Sequence, residues 1–140
     1  MSHGVDPEEA SLERAAALLD ERFHPSAILL FGSRARGVEH RGSDHDLAIL
    51  TARPVPDPLD VVSAKVDLED ILGTGVDLVV LNDASPVLAM EILRARRVLR
   101  ARDPEALERF TVRTLGAYFD LKRVRAPIEA ALLGGAREVR

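Results

Sequence analysis

The 140-residue chain has no cysteine, no tryptophan and a single tyrosine. Without cysteine there is neither a disulfide framework nor a thiolate metal site, which suits a reducing cytosol and excludes a zinc ribbon. The chain also lacks any apolar run close to the about 20 residues that a membrane span needs. Its first residues, MSHGVDPEEASLERAA, do not have the basic-then-apolar layout of a signal peptide, so the expected location is the cytoplasm. Positive charge is not in excess: the formal net charge of −4 argues against direct nucleic-acid binding through a broad basic surface. Repeats and low-complexity segments are absent. A composition 46% hydrophobic and 30% charged, at this length, describes one ordinary globular domain.

The informative stretch is ILLFGSRARGVEHRGSDHDLAIL, residues 28–50. It predicts a short apolar strand over Ala27–Phe31, a tight turn at Gly32-Ser33 opening a helical piece that ends near Gly37, and a second strand that begins with Asp44 and Asp46. Side chains two apart on a strand share a face, which sets the two carboxylates side by side with Cα atoms about 6.6 Å apart. That spacing suits two oxygen-seeking divalent ions about 3.5–4 Å apart, as phosphoryl-transfer sites require. Gly32 lets backbone approach a ligand closely, and a helix start after a strand offers free N–H groups to phosphates. Arg34 and Arg36 beside the turn could reach a triphosphate or make surface ion pairs. By alternation His45 points away from the carboxylates and is not a ligand.

Elsewhere, Asp6-Pro7 predicts a helix start with Asp6 as N-cap, running to about Arg22 with Leu12, Ala15, Ala16 and Leu19 inward. A proline-rich connector over Arg53–Pro58 leads to a helix over Leu59–Leu72, suggested by Leu59, Val62, Val66, Ile71 and Leu72 and stopped by Gly73-Thr74-Gly75. Val76–Leu81 reads as a buried third strand interrupted only by Asp77, which is either a metal ligand or a carboxylate at an exposed strand start. Ser85-Pro86 caps a helix from Val87 to about Arg96 with Leu88, Ile92 and Leu93 inward. Val98–Ala101 is an edge strand with arginines outward, and Asp103-Pro104 opens a final apolar-faced helix. Arg94, Arg96, Arg97, Arg100 and Arg102 form the densest basic cluster, either a solvated face or a contact for RNA or an acidic partner.

Gly-Ser, ten residues (Arg34 to Ser43), then Asp-x-Asp closely resembles the signature of the DNA polymerase β-like nucleotidyltransferase superfamily, with Asp77 standing where its third carboxylate belongs. GSRARG, SDHDLAIL and VDLVVL are most similar to the minimal nucleotidyltransferases of the MntA antitoxin family, and LRARRVLRARDPEALERF and LGAYFDLKRVR add weaker support. The resemblance implies an α/β (α+β) nucleotidyltransferase fold, a small mixed sheet of three to four strands flanked by helices. Residues 1–125 would form the minimal domain and 126–140 a tail, a short helix or disordered. It further implies Asp44, Asp46 and Asp77 as catalytic residues holding two Mg²⁺ ions, and Gly32, Ser33, Arg34, Arg36 and Ser43 as nucleotide-binding residues. The implied reaction is AMP transfer from ATP to a tyrosine hydroxyl of a HEPN-domain, HepT-like ribonuclease toxin, with which the chain would form a hetero-oligomer. Family members usually carry an apolar residue at position 45, so His45 hints at partial exposure of that face. Two alternatives stay open: a non-catalytic antitoxin that masks its toxin, and an enzyme modifying a small hydroxylated molecule such as an aminoglycoside.

Overall fold

The computed structural model describes residues 6–32 and 44–138, with side chains to residue 132. Ser33, Arg34, Arg36 and Ser43, and the helical piece expected after the turn, lie outside the described residues. The elements run α1 (Pro7–Phe23), β1 (Ala27–Phe31), β2 (His45–Leu50), α2 (Pro58–Leu72), β3 (Val76–Val80), a single 3₁₀ turn (Leu81–Asp83), α3 (Pro86–Arg94), β4 (Arg97–Ala101) and α4 (Pro104–Glu138). They build a mixed four-stranded sheet in the order β3-β2-β1-β4. β1 pairs antiparallel with β2 and β4, while β2 and β3, joined through α2, are parallel.

Strand alternation divides the core. Ile28, Leu30, Leu47 and Ile49 face α1 and α2, where they meet Leu12, Ala15, Ala16, Leu19 and Leu68. Ala27, Leu29, Ala48 and Leu50 face the other way, onto Ile92 and Leu93 of α3 and Leu107 of α4. Both central strands are therefore apolar on both faces, as strands covered by helices on each side must be.

Several expectations change in detail. Asp6 precedes α1 but makes no side-chain cap bond; the working caps are Asp57, which accepts from Leu59 N–H, Ser85, which accepts from Leu88 N–H, and Asp103, which accepts from Ala106 N–H. On α2, Ala64 and Leu68 are fully buried and Ile71 and Leu72 pack half-buried against the same core as expected, whereas Leu59, Val62 and Val66 are exposed. In α3 it is Ala89, with Ile92 and Leu93, that is buried, and Leu88 is exposed. β3 is an edge strand rather than a buried one, and Asp77 on it is exposed. The arginine cluster is largely internal bracing: Arg97 pairs with Glu9, Arg100 with Glu13 and Asp20, Arg96 donates to the Leu93 carbonyl and Arg102 to the His24 carbonyl. α4 continues through Pro127 to Glu138 as one helix. No helix among the described residues is long and apolar enough to cross a membrane.

Candidate active site

Three chain segments converge at one end of the sheet. β1 ends there at Phe31, which stands opposite Asp46 near the start of β2, and Asp46 is in turn level with Asp77 on the parallel β3. Adjacent strands lie about 4.8 Å apart, so Asp46 and Asp77 are neighbours although 31 positions separate them in sequence. Asp46 shares its face with Ala48 and Leu50, the side of the sheet covered by α3 and α4. Asp44 is exposed just before the strand, and the N–H of His45 donates to the Gly75 carbonyl at 2.9 Å, tying the carboxylate pair to the start of β3.

Two glycines make room for the acids. Gly32 adopts φ +76°, the left-handed region that favours glycine, and a Cβ built there would run into the Asp46 carboxylate, 3.2 Å from its Cγ and closer still to Oδ2. Gly75 does the same for Asp44: its Cβ would lie 2.6 Å from Oδ1. The backbone at Gly32 therefore passes directly beside the Asp46 carboxylate. Gly75 was invisible as a site residue in the sequence, where it served only to stop a helix.

The cluster is electrostatically loaded. Partial burial raises the pKa of Asp46 above its ordinary value, and the negative charges of Asp77 and then Asp44 raise it further. Among the described residues no three acidic or imidazole side chains are placed so that together they could hold a metal ion. An all-oxygen, like-charged, partly exposed donor set fits Mg²⁺ on chemical grounds, since that ion uses one or two carboxylates and takes its remaining ligands from water and substrate phosphates.

His45 lies on the opposite face, as alternation predicts, but it is buried, not partly exposed. Its Nδ1 is hydrogen-bonded to Thr74 Oγ1 at 2.6 Å, its Nε2 to Glu8 Oε1 at 3.3 Å, and the Thr74 hydroxyl also reaches the Gly75 carbonyl. Polar partners from α1 and the α2–β3 turn satisfy the imidazole where an apolar residue would need none. Glu69 completes the support by accepting from the Val76 N–H at 3.1 Å, next to Asp77. A cavity of about 350 Å³, lined by Thr51, Asn82, Arg109 and Arg113 among others, sits at the other end of the sheet. At about 3.3 Å per residue, Leu50 and Thr51 on its wall lie about 13–17 Å along β2 from Asp46.

The family described as Polymerase beta, Nucleotidyltransferase matches residues 13–105. Protein adenylyltransferase MntA of Shewanella oneidensis is 36% identical over 104 residues, 72% of this chain and 71% of that protein. A crystal structure of a toxin-antitoxin with AMP-PNP superimposes with a TM-score of 0.77 at 30% identity, over 89% of this chain and 98% of that one. A tri-AMPylated Shewanella oneidensis HEPN toxin in complex with MNT antitoxin gives 0.74 at 26% identity, over 90% and 98% of the two chains. Sequence, fold and the acid-bearing strand ends thus agree, and the chain belongs to the polymerase-β nucleotidyltransferase family.

Proposed function

We propose that this chain is a protein adenylyltransferase that moves AMP from ATP to a tyrosine hydroxyl of a HEPN toxin and thereby neutralises it, in the cytoplasm. The observation that carries the reading is the registration of Asp46 with Asp77 beside Gly32 and Asp44, in a chain 36% identical to a protein adenylyltransferase. The AMP-PNP and the tri-AMPylated HEPN toxin in the matched complexes support ATP as donor and a HEPN toxin as acceptor.

In this reading Asp44, Asp46 and Asp77 would hold two Mg²⁺ ions, whose charge would neutralise the triphosphate and the charge that develops on the phosphoryl group. The N–H groups of the Gly32-Ser33 turn, with Ser43, Arg34 and Arg36, hold the β and γ phosphates. Asp77, on the exposed edge strand, faces the incoming acceptor and takes the tyrosine proton. A phenol of ordinary pKa about 10 is otherwise mostly neutral at pH 7. The tyrosine oxygen then bonds to the α-phosphorus as the bond to the β-phosphate oxygen breaks, and pyrophosphate leaves in line.

The test is intact-mass spectrometry of the purified HEPN toxin after incubation with this chain, ATP and Mg²⁺. A mass gain of one or more AMP groups, lost with EDTA and with Asp44→Asn, is the expected result. Neutralisation of the toxin with no mass gain would establish masking instead.

A further inference from the structure

We propose that the cavity at the end of the sheet opposite the acids is a binding site for a small polyphosphate anion, separate from the adenylyl-transfer site. Its frame is stitched by backbone. The Ser26 N–H, just before β1, donates to the Leu50 carbonyl at 2.7 Å, and the Asp103 N–H, just before α4, donates to the Ser26 carbonyl at 3.0 Å. Asn82 clamps the end of β2: its Oδ1 accepts from the Thr51 N–H at 3.0 Å and its Nδ2 donates to the Thr51 carbonyl at 2.7 Å. The floor is thus fixed before a ligand arrives, which spares binding the cost of ordering it.

Three guanidinium groups stand around that floor: Arg53, from the connector after β2, and Arg109 and Arg113, one turn apart on α4. Among the described residues none of the three is ion-paired or hydrogen-bonded, although Glu105 lies one turn before Arg109. Arg97 and Arg100 on β4, by contrast, are both paired to α1. Like charges four residues apart on a helix repel, so stacking Arg109 on Arg113 does nothing for α4 itself. The one carboxylate on the wall, Asp103, is turned to the α4 start, where it accepts from the Ala106 N–H at 3.2 Å. Three cations therefore face one acid, in a chain whose net charge is −4.

The ligand class follows from the donors. A guanidinium has five N–H donors and no acceptor, and its fork matches phosphate oxygens. Asn82 keeps one Nδ2 hydrogen beyond the one given to Thr51, and the Ser26 hydroxyl on the same wall is likewise unengaged among the described residues. A carboxylate would bring one charge to these donors, whereas each phosphate group brings about −1.5 to −2 on three acceptor oxygens. A hollow of about 350 Å³ admits a diphosphate or triphosphate group, and a closed hollow is not the continuous groove that tracks a nucleic-acid strand. Inorganic pyrophosphate and nucleotides both carry this chemistry.

The experiment is isothermal titration calorimetry of pyrophosphate, ATP and AMP into the full chain at low salt, in EDTA so that no divalent ion draws the probe to the carboxylates. Wild type should bind pyrophosphate or ATP saturably, one per chain. Arg53→Gln, and separately the Arg109→Gln, Arg113→Gln double variant, should each weaken binding at least about tenfold, because each removes charge-assisted bonds from a different element. All three positions are exposed, so melting temperatures without ligand should match wild type. Arg34→Gln, Arg36→Gln should leave the affinity within about twofold, since those residues belong to the other end of the sheet. ATP binding tighter than pyrophosphate identifies a nucleotide as the occupant, and equal affinities identify the inorganic anion. No saturable binding by wild type, equal binding by the cavity variants, or an RNA oligomer binding where pyrophosphate and ATP do not, would overturn the proposal.

Discussion

Asp46 stands level with Asp77 across the parallel β2–β3 pair, each the second residue of its strand. Two like charges at neighbouring strand starts, with Asp44 one short step away, are tolerated only because that end of the sheet is partly solvated and carved open by glycine. Ionised Asp46 is less comfortable in the folded chain than in the unfolded one, first through desolvation and then through Asp77 and Asp44. A folded pKa above the unfolded value of 3.8 means a penalty that is absent at lower pH, grows as pH rises through 3.8 and is complete above the folded value. Asp46→Asn should therefore raise the melting temperature at pH 7 in EDTA, with the gain fading as the pH approaches 3.8. The same variant should transfer AMP at least about a hundredfold more slowly. Mg²⁺ with a non-hydrolysable ATP analogue should stabilise wild type but not the variant. A variant that melts lower than wild type across the whole pH range would show that the carboxylate is satisfied within the fold.

Three glycines separate function from stability. Gly32→Ala meets both a positive φ and the Asp46 carboxylate, so it should lose stability and nearly all transfer activity. Gly73 has φ +70° but open space around it, so Gly73→Ala should cost about 1 kcal/mol of stability while leaving kcat intact. Gly75 has no left-handed φ to preserve, and the three atoms nearest its added Cβ all belong to the Asp44 carboxylate, which can swing aside. Gly75→Ala should thus melt like wild type and yet lose about a hundredfold in activity, since displacing a reacting group by about 1 Å is enough for that. Thermal melts and AMP transfer on the three variants give the pattern; an active Gly75→Ala would remove Asp44 from the site.

The carboxylate pair, its strand and the turn before it were legible because each rests on local rules, alternation and turn chemistry. What failed to show were relations across the chain. That His45 is buried depends on Glu8 and Thr74, 37 and 29 positions away. That Arg97 and Arg100 are braces depends on α1, 80 or more positions upstream. For α2, helical spacing announced a helix and its inward Ile71 and Leu72, but not that Ala64 and Leu68 rather than Leu59, Val62 and Val66 turn inward. Gly75 matters only because Asp44 folds against it.

The His45–Thr74 bond at 2.6 Å, with Glu8 at the far nitrogen, links α1, β2 and the start of β3 behind the acids. Thr74→Val leaves a buried imidazole nitrogen without that partner and should cost about 1–3 kcal/mol. His45→Leu restores an apolar match, so the double variant should be less destabilised than the two single changes added together, with a coupling of about 0.5–3 kcal/mol. Urea denaturation of the four proteins measures it; strict additivity would mean that the contact carries no stability.

β4 is held to α1 by charge as well as by packing. Arg100 Nη2 donates to Glu13 Oε1 at 2.5 Å and Nη1 to Asp20, while Arg97 grips Glu9 with two bonds of 2.6 and 2.7 Å. The hydrogen bond from Arg97 holds the Glu9 carboxyl below its ordinary value of 4.5. A depressed folded pKa contributes stability that is present above 4.5 and is lost as pH falls through the folded value, so acid should loosen this edge before it discharges an unpaired surface carboxylate. Arg100→Ala should destabilise the chain by about 1 kcal/mol or less at low salt, because both partners are partly solvated, and high salt should shrink that difference as it screens the wild-type pairs. Denaturation midpoints at low and high ionic strength decide the point: a loss that salt leaves untouched would mean that the arginine stem, packed along the sheet edge, matters more than its charge.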